Sequence, residues 1–336
     1  MASITEAVDG RVGNVDRTQV VLFTLDNLIW PILVLTIVVF SVLLPEIFLT
    51  GSNLQFLVYS SAALGAIVLA ESICLLSGHF DLSVGSIAGF SAMFTAIVLS
   101  EWLPAMPGWG GVVLILAVGG TIGLLNGISV AKFGVNPFLQ TLSFFIIFRG
   151  GVIVLSTYSI ADVPESYLYL GGGTIGDVPV AVFLVIGIFL LAATWLKYFR
   201  TGLSVYAVGG DKTSAREAGI DTQRVIVMVY VLSGMLAGLG GLLFTGFLGA
   251  ATPSLAANTV FPAFAASVIG GVSLFGGRGN VLGALGGVLL LGTIQTGLVM
   301  MNVSQELVQM TNGFVLLAAI LLYTGVERLR ERTLAT

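Results

Sequence analysis

The sequence predicts an all-α polytopic membrane protein, with about ten transmembrane helices in two inverted-repeat halves and both termini cytoplasmic. Three observations lead there. Hydrophobic residues make up 57% of the chain and charged residues 9%, with a mean hydropathy of +1.05; in a soluble domain about a quarter of residues are charged. Apolar runs near the ~20 residues needed to cross the hydrocarbon core recur along the chain. Once those runs are threaded through a bilayer, all but one of the 13 Lys and Arg residues fall on one side.

In order, the runs are 28–49, 55–76, 83–101, 111–131, 137–156, 179–196, 225–247, 259–276, 281–300 and 310–326. Residues 1–27 precede them as a polar cytoplasmic tail, 28–326 form the membrane domain, and 327–336 form a cytoplasmic C-terminal tail. The run at 28–49 is too long for the apolar segment of a cleaved signal and lacks a small-residue cleavage site, so it reads as a retained span. With the N-terminus inside, Arg11, Arg17, Lys132, Lys197, Arg200, Lys212, Arg216, Arg224, Arg278, Arg328, Arg330 and Arg332 are cytoplasmic. Glu46, Glu101, Asp162, Glu165, Asp177 and Glu306 fall on the other side with no Lys or Arg among them, which is the asymmetry that orients a multispanning chain.

Glycine spacing bears on the halves. Gly119, Gly123 and Gly127 in the fourth span, and Gly279, Gly283 and Gly287 in the ninth, recur every four residues, a pattern that brings helix backbones together. The two spans run in opposite directions, so runs two to five and seven to ten read as an inverted repeat of the transporter kind. A chain with 44 glycines also produces such spacing by chance. The polar stretch between 157 and 179, with Tyr158, Tyr167, Tyr169 and Gly171–Gly173, suits either the membrane interface or a docking surface.

Against this apolar background the island from Lys197 to Arg224 needs a role in water. Asp211 reads as an N-cap, Lys212 to Ala218 as about two helical turns, and Gly219 as the left-handed C-terminal residue before Ile220. A helix about 10 Å long does not hold itself together in water, so a partner packs on it, with Ala215, Ala218 and Ile220 as an apolar side and Lys212, Arg216 and Glu217 as orienting charges. Gly210 and Ser214 complete the segment. The alternative is a solvated loop.

Polar residues inside or between spans are the candidates for a solute pathway. Glu71 and Arg149 lie within spans, where charge facing lipid is costly, so each faces inward, as a pathway wall or a bundle anchor. In the turn Ser77–Ser86, with His79, Asp81 and Ser83, Asp81 either caps the third span or belongs to a helix break lining a path. Asn126, Asn136, Phe138, Thr141 and Gln295 suit an uncharged, hydroxylated solute, or hydrogen bonds between helices. One cysteine (Cys74) and one histidine leave no intrachain disulfide and no Cys/His metal cluster. There is no phosphate-cradling G-x-x-x-x-G-K-[ST] motif, so if ATP drives the system another chain binds it; neither is there a Ser-His-Asp set for an enzyme in the membrane.

The segments FDLSVGS (80–86), GLLNGISVAKFGVNPFLQTLSFFIIFRG (123–150), AVGGDKTSAREAGI (207–220) and ASVIGGVSLFGGRGNVLGALGG (266–287) resemble the permease subunits of ribose-type monosaccharide ABC importers. The resemblance spans nearly all of 50–326. It implies a non-catalytic multi-pass subunit of the cell membrane, paired with a second permease copy or paralogue. A cytoplasmic ATPase pair would hold ATP and Mg, and an external solute-binding protein would supply the solute; no nucleic acid is implied. Asp211–Ala218 would then be the coupling helix seated in the ATPase. His79 stands where the family often has a second glycine, and an acid is unusual near Glu71. Nucleosides and branched-chain amino acids are the alternative cargo within the family, and an ion-coupled secondary transporter is the alternative from another class.

Overall fold

The computed structural model describes residues 27–335, so the tail expected at 1–27, with Arg11 and Arg17, lies outside the described residues apart from Asn27. Thirteen α-helices occur among the described residues. They are α1 (Ile29–Leu43), α2 (Gly51–Leu76), α3 (Val84–Ile97, continued by a π-helical turn Val98–Trp102), α4 (Gly108–Ala131), α5 (Pro137–Leu155), α6 (Glu165–Gly172), α7 (Val180–Tyr198), α8 (Arg200–Gly210), α9 (Lys212–Glu217), α10 (Thr222–Leu248), α11 (Val260–Ile269), α12 (Val281–Met300) and α13 (Gln305–Ala335). A small hairpin, Thr174–Ile175 with Val178–Pro179, sits between α6 and α7.

Among the described residues eight helices are long and apolar enough to cross a membrane: α2, α3 with its π turn, α4, α5, α7, α10, α12 and α13. The expected runs 28–49 and 259–276 are helical over shorter lengths. Pro45 cannot continue α1, and the chain after it folds back so that the fully buried Phe48 stacks on Phe40 at 5.5 Å. Beyond Ile269, Gly271, Gly276, Gly277 and Gly279 all take positive φ, turning residues 270–280 into a loop. At the other extreme α13 runs unbroken through the residues expected as a tail from 327.

The long helices α2 and α10 form the centre, and the rest dress them in matched fashion. Helix α4 lies along α10 as α12 lies along α2; α3 packs on α10 as α11 packs on α2; α5 covers α3 as α13 covers α11. Glycine sets the closest of these approaches. A Cβ at Gly119 or Gly123 would strike the α10 backbone at Gly234 or Tyr230, and one at Gly127 would come within 2.8 Å of the Val227 Cα. On the other side Gly283 and Gly287 meet the backbone of Gly270 and Ala266. Gly279 is not part of that helical stripe: it precedes α12, with φ of 133°, and faces Val272.

Segment 157–179 is more embedded than its polarity indicates. Tyr167 is fully buried, and Gly171 lies against α10 near Leu243 and Gly246, while Tyr158 and Tyr169 stay exposed.

Candidate functional site

The charged island folds as a hook. Helix α7 ends at Tyr198, α8 turns back along it, and α9 closes the hook before α10 begins. Asp211 caps α9 by accepting the Ser214 N–H at 2.6 Å, and this bond holds the exposed carboxyl below its ordinary value. At the other end the Ile220 N–H returns to the Ala215 carbonyl at 3.0 Å, with Gly219 left-handed at φ 83°. Lys212, Ser214, Arg216, Glu217 and Ala218 are exposed. Ala215 points the other way, 4% exposed and packed into the chain's own core, and Ile220 is half-buried. Beside α9 lies a cleft of about 560 Å³ between Lys212, Arg216, Asp221 and the Ala131 end of α4. The Asp221–Arg224 ion pair at 2.8 Å is exposed and contributes little.

A clasp of glycines fixes the hook to the bundle. A Cβ at Gly209 would meet the Leu76 carbonyl and the Gly277 N–H, and Gly78 and Gly276 press on the same point. The Gly277 N–H donates to the Leu76 carbonyl at 3.0 Å, and the Tyr206 hydroxyl donates to the Gly279 carbonyl at 2.9 Å. The C-terminal ends of α2 and α8 and the 270–280 loop therefore meet at one place, without side chains between them.

Above the clasp sits a buried polar knot. Asp81, at 0% exposure, accepts from the Ser83 N–H (3.0 Å) and Ser83 hydroxyl through Oδ1 and from the Ser233 hydroxyl (3.1 Å) through Oδ2. Asn126 donates to the Ser83 hydroxyl at 2.9 Å and accepts from Gln140 at 3.4 Å. The Tyr230 hydroxyl donates to the Phe80 carbonyl at 3.1 Å. The Glu71 carboxyl faces the Asp81 backbone N–H, and its Oε2 has no hydrogen-bond partner. His79 lies beside the knot, its Nδ1 2.8 Å from the Ser77 carbonyl and its ring 6.1 Å from that of Tyr230. The knot thus ties the turn before α3 to α4, α5 and α10, with Glu71 of α2 beside it.

The other pathway candidates lie apart. Asn136 caps α5 by accepting from Phe138 (3.0 Å) and Leu139 (3.4 Å), with Pro137 in the first turn. Phe138 is half exposed, and the buried Thr141 hydroxyl bonds back to Pro137. Arg149 does not pair with Glu71; it donates to the Pro253 carbonyl at 2.9 Å and so tethers the α10–α11 loop to α5. Gln295 donates to Asn312 at 3.2 Å between α12 and α13, at the end of the bundle remote from the hook. Sequence reasoning missed Ser233, Tyr230, Gln140, Gly276 and Gly277, and placed Gly279 in a helical stripe rather than in the loop before α12. Nothing local sets Ser233 apart from other hydroxyls in apolar helices, whereas the cluster FGGRG did signal backbone unable to continue a helix.

Residues 53–320 match the family described as branched-chain amino acid transport system / permease component. The chain belongs to this permease family. Among its similar relatives, the D-allose transport system permease protein of Escherichia coli is 34% identical over 87% of this chain and 89% of its own length. The ribose import permease protein of Bacillus subtilis is 33% identical over 86% and 90%, and the L-arabinose ABC transporter permease protein of Azospirillum brasilense 30% over 84% and 82%. No solved structure matches. Membership, together with eight helices among the described residues that are long and apolar enough to cross a membrane, makes this a multi-pass permease of the cell membrane.

Proposed function

We propose that this chain is the membrane-spanning subunit of an ATP-driven importer that moves a monosaccharide or related small polar solute by alternating access. The names of its relatives, for D-allose, ribose and L-arabinose, support a sugar as cargo. The observation that carries the coupling mechanism is the hook: α9 is capped at both ends, offers charges outward, and is clasped through Gly209 to the end of α2. ATP and Mg belong to a separate ATPase docked on Gly210–Ile220, a separate binding protein delivers the solute, and a second permease copy or paralogue completes the membrane unit.

In this reading the hook faces the cytoplasm. Lys132, Lys197, Arg200, Lys212, Arg216, Arg224 and Arg278 all gather at that end, which supports cytoplasmic termini and ten spans with α1 and α11 included. The matched contacts of α2–α5 and α10–α13 support inverted halves. Closure of the ATPase pair pulls α9; the clasp passes the motion to α2 and to the 270–280 loop, and the knot obliges α10, α3 and α4 to move as one body. The pathway candidates Glu71, His79, Asp81, Ser83 and Asn126 then serve as the hinge-side wall of the moving body.

A branched-chain amino acid is the second reading, favoured by the family description. Reconstitution with the ATPase and binding protein tests the proposal. Uptake is expected only with ATP on the hook side and is lost with a hydrolysis-dead ATPase. Accumulation by this chain alone on a sodium or proton gradient would refute it.

A further inference from the structure

At the end remote from the hook, a recess of about 420 Å³ opens between the start of α2, the end of α10, the loop before α11, the end of α12 and the start of α13. We infer that this recess, contained within a single subunit, is a binding station for a neutral hydroxylated solute of monosaccharide size. The inference rests on the sugar-importer reading and adds the place and the recognition chemistry.

The wall has the composition that a sugar ring needs. Asn53, Gln295 and Asn312 offer amides, Thr296 a hydroxyl, and Phe56 and Phe244 apolar rings for C–H faces. No Asp, Glu, Lys, Arg or His lines it among the described residues, so the ammonium group of an amino acid would find no counter-ion. Ser61 and Gly292 meet at the back of the recess, the buried Ser61 hydroxyl turned toward Gly292, where a Cβ would strike that oxygen. The opposite wall is held in an uncommon conformation. Ala256 has φ of 56°, and its carbonyl is wedged against Gly85 of α3, where a Cβ would come within 2.8 Å. Such strain persists where surrounding structure enforces it, characteristically at ligand sites.

The test uses the complete importer in liposomes, with D-allose, L-arabinose and D-ribose as probes. Wild type is expected to move at least one of them. Gln295→Leu should lower uptake of that sugar about fivefold, the worth of one neutral hydrogen bond. Melting of Gln295→Leu beside wild type separates lost binding from lost folding. In Gln295→Cys the new thiol should react with a small methanethiosulfonate reagent, Cys74 being buried, and the transported sugar should slow that reaction. Wild-type uptake by Gln295→Leu, with no protection of Gln295→Cys by sugar, would overturn the recess assignment and leave the sugar reading standing. Transport of none of the three sugars by wild type would overturn both.

Discussion

Gly123→Ala puts the central crossing under direct load. The new Cβ would come within 2.9 Å of the Tyr230 carbonyl carbon and 3.1 Å of the Val231 Cα, and closer still to the Tyr230 oxygen. Ordinary contact begins at 3.4 Å, so α4 and α10 must part by at least half an ångström, and the obstacle is backbone that no rotamer change can move aside. Overpacking of a tight interior costs about 1–3 kcal/mol. The same stretch of α10 carries the Tyr230–Phe80 and Ser233–Asp81 hydrogen bonds, each worth about 1 kcal/mol. A loss near 3 kcal/mol is therefore expected, or about 6 °C in melting temperature at roughly 2 °C per kcal/mol. Thermal melting of the detergent-purified chain measures it, with Gly150→Ala as control, since a Cβ there meets nothing within 4 Å. A Gly123→Ala protein that melts with wild type would show that the α4–α10 contact is looser than described and would remove the basis for treating these helices as one body.

Three further outcomes follow from the hook and the knot. Ala218→Trp should abolish co-purification of the ATPase while leaving the melting temperature of the chain unchanged, because Ala218 is exposed; Ala215→Trp should lower that temperature as well, since Ala215 is packed inside. Equal effects of the two on stability would refute this division. Asp81→Ala should destabilise by about 2–3 kcal/mol, since it leaves the buried Ser83 N–H and the Ser83 and Ser233 hydroxyls without their acceptor; an unchanged melting temperature would count against the knot. For Asp211 the carboxyl lies below its ordinary value of 3.8 in the folded chain, so the cap contributes above that pH and is lost as pH falls through the lowered folded value. Asp211→Ala should accordingly raise tryptic cleavage at Lys212 and Arg216 several-fold at neutral pH, with Asp211→Asn close to wild type, and a cleavage rate indifferent to both would exclude a capping role.

Some of this protein is written in local chemistry. Apolar runs of membrane length mark eight of the helices, because every backbone polar group in lipid must be bonded within its own segment. The caps of α9 were equally legible, since Asp211 and Gly219 act on neighbours three or four residues away. Other features depend on which helices touch, and spacing along one helix does not state its partner. That Glu71 faces the backbone of Asp81 while Arg149 reaches Pro253 follows from the crossing of α2, α3, α5 and the α10–α11 loop. Whether Ala215 looked outward or inward depended on α8, which folds back from α7 and turns that face of the short helix into the core. The glycine clasp is the clearest case: Gly78, Gly209 and Gly277 come from three distant segments, and their common lack of a side chain acquires meaning only where three backbones arrive at the same point.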